Sequence, residues 1–446
     1  MSWIQKLYET SENCRSMIGV GSEENEVPLL PICHTTQKAQ IEIVIDQDGN
    51  FKRARVIPKE EARTIVPCTE ASGGRSGKKP ESHPLCDKLQ YIAGDFVDYG
   101  GVVTSGYAQN PREPHEKYKD ILKKWCESEY SHSKAKAVLR YIEKGNVIRD
   151  LISYQILVVG TDGKLLKKWD KKDDVPEIFK VSTNSGEMDA FVRWIIEVPN
   201  DPQAAVWTDL SLFESWIKYY SSTKGSNTLC YITGTEVPAA DQHPAKIRND
   251  GDKAKLISSN DTSGFTFRGR FLSAEQACGV GFEVTQKAHN VLRWLINRQG
   301  YKRGDQAIVA WATSGKDIPN PMDDTLSILG IDEMESNSES AISTAQELAL
   351  KLNKKIAGYN TDLGNTTSIV VMGLDSATPG RMAISFYREL TGSDFLKRIE
   401  DWHRTCCWIH DYRSKEIIDK KSGKKRTMYF RFVGAPAPKD IAEAAY

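Results

Sequence analysis

The chain has 446 residues, of which 39% are hydrophobic and 27% charged. That much apolar material excludes a wholly disordered protein, and at about 100–200 residues per domain it suggests several domains. Sixty basic residues balance sixty acidic ones, which excludes a uniformly basic polyanion binder and leaves only local segregation of sign. No apolar run approaches the roughly 18 residues of a membrane helix, and the first residues, MSWIQKLYET, lack a secretory apolar core. A cytoplasmic protein without membrane partners is expected. Nine cysteines, an odd number with no C-x-x-C pair, argue for reduced thiols rather than a disulfide framework or zinc ribbon.

In chain order, residues 41–57 read as a β-hairpin, IEIVI and FKRARVI flanking Asp48-Gly49. Strand alternation puts Arg53 and Arg55 on one face and Lys52 on the other. A second hairpin is expected over 152–169 around Asp162-Gly163. Helical spacing predicts helices at 116–127, 133–144, 187–197, 210–221, 273–298, 342–356 and 392–409. Further strands are expected at 229–233, 306–312, 367–374 and 381–387. Mixed order with several hairpins predicts an α+β fold, hairpin-rich sheets with packed helices in a multi-domain body. Gly/Pro- and Ser/Thr-rich stretches suggest boundaries giving 1–110, a β-rich region, then 111–226, mixed helical and hairpin, then 227–446, α+β.

Charge is segregated. Residues 52–79 carry eight basic and three acidic residues, 246–303 eleven and five, and 413–426 seven and two. Residues 317–348 carry eight acidic residues and no basic one, and read as an exposed acidic loop.

Enzyme motifs fare poorly. In SGGRSGKKP (72–80), a Walker loop would need Gly at Ser72 and Ser or Thr at Lys79. There is no G-x-S-x-G and no H-E-x-x-H. His403, Cys406, Cys407 and His410 fall on one face of the expected helix, but a single helix wraps four tetrahedral ligands badly. Cys33-His34 with His83 and Cys86 is weaker still. No catalytic residue, metal ligand or cofactor is assigned.

Several long segments carry a resemblance. They are CTEASGGRSGKKPESHPLCDKLQYIAGDF (68–96), AKLISSNDTSGFTFRGRF (254–271) and VTQKAHNVLRWLINRQGY (284–301), joined by PLLPICHTTQKAQIEI (28–43), LDSATPGRMAISFYREL (374–390) and FVGAPAPKDIAEAAY (432–446). With them the chain resembles, over its whole length, the Csd-type large subunit of the type I-C CRISPR surveillance complex, Cascade. The resemblance implies a non-enzymatic role: recognising a protospacer-adjacent motif in duplex DNA, promoting strand separation and R-loop formation, and helping to recruit the helicase-nuclease. It implies as partners the target DNA, guide RNA, the backbone and guide-5′-end subunits and the small subunit. Family members continue into a helical region like the small subunit, so that region and its functions are expected to be absent here.

The residues agree with that chemistry. Cations hold phosphates, and base-edge contacts carry sequence. Ser72, Gly73, Gly74, Arg75, Ser76, Lys78 and Lys79 make a slim loop suited to a minor groove, with Arg75 and Lys78 the expected base readers. Lys52, Arg53 and Arg55 are expected on phosphates. So are Arg268 and Arg270, opposite Phe265 and Phe267 on a strand that follows a polar turn at Asn260. Gln286, on a helix, is a candidate strand-splitting wedge. The competing readings are a metal-dependent nuclease using residues 403–410 or the acidic loop, and a scaffold binding only proteins and guide RNA.

Overall fold

The computed structural model describes residues 2–445 apart from 21–26, 76–79, 104–109, 170–172, 183–185, 226, 241, 259–270, 272–273, 331–344, 412–413, 419–424 and 430–431. Helices mix with several small sheets, an α+β fold. Two compact units form. The larger comprises Arg15–Trp294 with Thr378–Arg381, and the smaller Met1–Cys14, Leu295–Ala377 and Met382–Tyr446. Positions 110 and 226 both fall inside the larger unit.

In the larger unit, β1 (His34–Lys38) pairs antiparallel with β4 (Arg63–Pro67). Between them in sequence, β2 (Ile41–Asp46) and β3 (Phe51–Val56) form the expected hairpin. Gly49 closes it at φ 74°, and a Cβ there would lie 2.8 Å from the Ala137 carbonyl oxygen, so no side chain fits. The other edge of β2 pairs in parallel with β5 (Val192–Glu197). Here the expected helix over 187–197 gives way. Only Gly186–Asp189 forms a 3-10 turn, and Val-Arg-Trp-Ile-Ile-Glu is a strand. β-branched and aromatic residues suit a pleated surface, and long-range pairing overrode the local periodicity.

Glu42 lies at the centre of this sheet, opposite Arg55 of β3 on one side and Arg193 of β5 on the other. Its carboxylate accepts from Arg55 Nε at 2.6 Å and from Arg193 Nη2 at 2.7 Å. Arg193 also donates to the Glu61 carbonyl and stacks on Trp207, 3.8 Å from the ring centroid. Glu42 and Arg193 are buried, whereas about half of the Arg55 side chain is exposed.

Helices at Glu113–Glu127, Ser133–Glu143 and Leu210–Ser222 fall where periodicity predicts them. They bury Trp125, Trp216, Tyr118 and Tyr141 around Trp194 of β5. Each tryptophan Nε1 finds an acceptor: Ser215 Oγ for Trp125, the Leu85 carbonyl for Trp194, and the Cys33 and Cys68 carbonyls for Trp216. The hairpin expected at 152–169 shrinks to one bridge, Val159 to Leu165, because the helix Val147–Ser153 takes its first residues. The strand expected at 229–233 is mostly a turn between β6 (Asn227–Leu229) and β7 (Glu236–Pro238). The helix expected at 273–298 is two, Ala274–Ala277 and Phe282–Gln299, separated by Gly279 and Gly281. A Cβ on Gly281 would strike Val237 at 2.5 Å.

The smaller unit holds a four-stranded sheet of order β11-β10-β9-β8, from β8 (Tyr301–Arg303), β9 (Gln306–Ala312), β10 (Ser368–Thr378) and β11 (Arg381–Thr391). Helices Ala345–Leu363 and Gly392–Thr405 close a core of Leu352, Ile356, Phe395, Leu396 and Ile399. The helix expected over 392–409 ends at Thr405, and Trp408–His410 is a strand paired with Phe432–Gly434.

Four histidines are buried in the larger unit, His34, His83, His243 and His289. His34 Nδ1 meets the Ile32 carbonyl at 2.8 Å, and His243 and His289 both bond the Thr285 hydroxyl. Burial pushes His34 and His289 down to about 4 and His243 to about 3.

Two outcomes are expected. Glu42→Ala leaves Arg193 buried without its counter-charge and costs roughly 3–5 kcal/mol in urea unfolding, far more than Arg55→Ala. A Glu42→Ala loss within about 1 kcal/mol of wild type would refute this account of the sheet. The histidines must charge on unfolding, so their contribution is intact above pH 6.5 and is lost as pH falls toward 4. Each adds up to about 1.4 kcal/mol per pH unit. Unfolding midpoints measured from pH 7 to 4.5 should fall steeply, and less steeply in His289→Gln. A flat profile in wild type would contradict the burial argument.

Candidate nucleic-acid interface

The sequence Thr69–Gly74 caps its own helical turn. Thr69 Oγ1 accepts from the Ser72 backbone at 3.0 Å, and Ser72 Oγ accepts from the Thr69 backbone at 2.9 Å. Ser72 is buried, and its hydroxyl also meets His83 Nδ1 at 3.1 Å. Its polar group is therefore occupied inside the protein. Gly73 is helical and Gly74 has φ −112°, so neither glycine serves a left-handed turn. What they supply is space: a Cβ on Gly73 would meet Cys68 Sγ at 3.3 Å, while Gly74 faces open room.

Arg75, expected to reach a base, is turned inward. Its guanidinium grips both oxygens of buried Asp87 at 2.8 and 2.7 Å, donates to the Glu81 carbonyl and lies 5.0 Å from the Tyr91 ring centroid. Asp87 in turn accepts from the backbone of His83 and Lys88. A fully used bidentate pair makes Arg75 the clamp that holds the two ends of this loop together. Ser76, Lys78 and Lys79 lie outside the described residues, as do Asn260, Arg268 and Arg270.

The strand cations are not a bare phosphate clamp either. Lys52 pairs with Asp46 at 2.9 Å, Arg53 with Glu197 at 2.7 Å, and Arg55 with Glu42 and Glu61. Acidic residues from the turn and neighbouring strands interleave with them, so the face alternates in sign.

Gly73, Gly74 and Gln286 do come together. They line one polar crevice with Gln242, Lys246, Lys255 and Asn290. The helix Phe282–Gln299 carries Gln286, and Asn290 one turn on donates to the Leu30 and Pro31 carbonyls, fixing that face of the helix. Gln286 is mostly covered, and among the described residues its amide makes no side-chain hydrogen bond.

Lys246 also lines a second, larger cleft of about 510 Å³. This cleft opens at the end of the sheet where β2 and β5 begin and β3 ends. Gln40 pins its floor, donating to the Phe191 carbonyl at 2.9 Å and accepting from Phe191 and Ile57 backbones at 2.8 Å. Lys38, Lys59, Arg63, Lys88 and Lys246 stand around it with two acids, Asp189 and Asp250. Asp189 is taken by Lys88, and Asp250 by Arg293 at 2.6 Å. Lys38, Lys59, Arg63 and Lys246 have no carboxylate partner among the described residues. Lys246 sits at φ 63°, an unusual conformation for a side-chain-bearing residue, in a loop closed by the buried Arg248–Asp252 pair. Burial, then the nearby Arg293 charge, pushes its ammonium below the ordinary lysine range.

Sequence reading counted Lys59, Arg63 and Lys246 within basic tracts but singled out none of them. Lys38 and Lys88 carried no local signal, since only tertiary folding brings residues 36–40, 57–63, 88, 181–182, 189, 191, 246 and 250 together.

The metal candidates disperse. His403 ends its helix with Nδ1 on the Thr325 hydroxyl at 2.8 Å, while His410 lies on the following strand against Phe432. Asp324 caps the helix Thr325–Leu329. Among the described residues no group of three or more His, Cys, Asp or Glu is gathered to hold a metal ion. No helix among them is long and apolar enough to cross a membrane.

A comparison with curated proteins found no match. A family profile, CRISPR-associated protein (Cas_Csd1), matches residues 7–446, nearly the full chain, and the protein belongs to that family.

Proposed function

We propose that this chain is the non-catalytic large subunit of a type I-C RNA-guided surveillance complex in the cytoplasm. In this reading it recognises a protospacer-adjacent motif in duplex DNA, promotes strand separation and R-loop formation, and helps recruit the helicase-nuclease. Guide RNA, the backbone and guide-5′-end subunits and the small subunit are its other partners. The guide reads the remaining target by base pairing, a division of labour known from another RNA-guided effector.

The observation that carries the reading is the crevice where Gly73, Gly74 and Gln286 meet Lys246 and Lys255. Base reading needs a donor and acceptor that the fold does not consume, beside cations for phosphate. The Gln286 amide offers both, and a glutamine at a base edge discriminates sequence. Gly74 leaves its side of the crevice open. Lys78 and Lys79, following this loop in sequence, add phosphate-seeking charge. Arg75 enters as the brace of the loop and not as its reader.

The test is duplex binding by the assembled complex, on targets with and without the motif. Gln286→Ala should reduce the preference for the motif by about five- to a hundredfold, the range for one lost base contact of ~1–3 kcal/mol. Lys255→Ala should weaken both targets alike and flatten the salt dependence by about one phosphate contact, a log–log slope change of roughly 0.9. An unchanged motif ratio in Gln286→Ala removes the crevice as the reader.

Arg75→Ala should act differently. Loss of the clamp on buried Asp87 should lower the unfolding midpoint of the isolated chain, at a cost of roughly 3–5 kcal/mol. Normal stability with lost motif preference would return Arg75 to base reading.

A further inference from the structure

The larger cleft is built for more than a phosphate. Its cations outnumber its acids five to two, and both acids are already engaged. Arg293, buried behind the wall, joins Thr36 to Asp250 through Nη2 at 2.6 Å to each. Arg63 and Lys246 both lie close enough to this guanidinium to repel it. Asp250, the carboxylate that pairs with Arg293, is half exposed. One guanidinium nitrogen of Arg63, Nη1, is shut away from solvent with no hydrogen-bond partner. Such a cluster is stabilised by an anion that accepts from it.

The rest of the lining is mixed, with Thr36, Gln37, Gln40 and Ser182 beside an apolar part. Ile57, Val181 and Phe191 share the cleft with the cations. A volume of about 510 Å³ far exceeds that of a single phosphate and falls within the range of small-molecule pockets. An anion at one part and a flat apolar body at another is the chemistry of a nucleotide.

We propose that this cleft binds a nucleoside phosphate, its phosphate held by Arg63, Lys246 and Lys59 and its base against Val181, which is backed by the buried side chains of Ile57 and Phe191. The site shares Lys246 with the crevice around Gln286 but none of the other residues given to the phosphate or the base, and the proposal does not depend on motif reading there. The nucleotide comes either from a nucleic-acid strand, as one unit turned into the cleft, or from the free pool.

Calorimetric titration of the purified full chain at low salt tests it. The probes are deoxyadenosine monophosphate, deoxyadenosine, inorganic phosphate and a 5′-phosphorylated oligomer of five deoxyadenylates. The monophosphate should bind at least tenfold more tightly than deoxyadenosine or inorganic phosphate alone. Lys246→Gln and Lys59→Ala should each weaken it by about ten- to a hundredfold, the effect of losing a charge-assisted hydrogen bond. Lys59 is exposed, so its variant does not threaten folding. Val181→Asp should abolish the advantage of the nucleotide over phosphate. An oligomer that binds more tightly through the same residues identifies a strand as the source, and equal affinity identifies the free nucleotide. Equal binding of phosphate and monophosphate would mean an adventitious ion only and would overturn the proposal, as would monophosphate binding unaffected by both lysine variants. Gln286→Ala should keep wild-type monophosphate affinity, so failure of motif reading and failure of this site are told apart.

Discussion

One buried carboxylate sets the register of the larger unit. Glu42 is bonded from both sides, by Arg55 across an antiparallel pair and by Arg193 across a parallel one. A slip of one residue in either neighbour would move its arginine to the opposite face and strand the carboxylate in the interior. The pairing therefore does more for specificity than for raw stability, since well-packed apolar replacements of buried ion pairs are often as stable. Everything at that end of the sheet inherits the register. Gln40 precedes Ile41, Ile57 follows Val56 and Phe191 precedes Val192, so the floor of the large cleft is fixed by the ladder that Glu42 aligns.

The balance of sixty charges of each sign is resolved by position. On the hairpin and the helix surfaces, cations meet carboxylates: Lys52 with Asp46, Arg53 with Glu197, Lys117 with Glu113, Lys124 with Asp120. Exposed pairs of this kind stabilise little, but they cancel the field. Where the strands end, Lys38, Lys59, Arg63 and Lys246 gather around a concave surface with no carboxylate paired to them among the described residues. Low-dielectric walls focus the field of such charges, so a chain of zero net charge still presents an attractive site to a polyanion.

The sequence announced local features and concealed distant ones. Asp48-Gly49 between two apolar runs named its hairpin, and helical spacing named Glu113–Glu127, Ser133–Glu143 and Leu210–Ser222, because turn chemistry and amphipathicity act within a few residues. The strand Val192–Glu197 was misread as helix because its partner lies about 150 positions away and leaves no mark in the local period. Residues 403–410 looked like one helical face, yet the helix stops at Thr405 and scatters the four side chains. At the candidate interface, glycine spacing and the exposed-looking Arg75 suggested a reaching loop. What the sequence could not reveal is that Asp87, twelve residues on, claims that guanidinium. Gln286 and the two glycines were legible singly; their meeting in one crevice was not.

The parallel pairing of β2 with β5 also orders events during synthesis. The hairpin β2–β3 can close as soon as residue 56 is available, giving Glu42 its first arginine. Arg193 arrives about 140 residues later, roughly 7–30 seconds at ordinary elongation speeds of about 5–20 residues per second. Through that interval β2 has one open edge, and its run Ile41–Ile45, fully buried in the finished protein, has nothing to cover it. The hairpin must survive as an unfinished edge in the nascent chain, with a half-paired carboxylate at its centre. Charge at position 42 is poorly tolerated in an intermolecular sheet that lacks a second arginine. The residue that fixes the native register thus also discourages β2 from adding to a neighbouring chain before its own partner has been made.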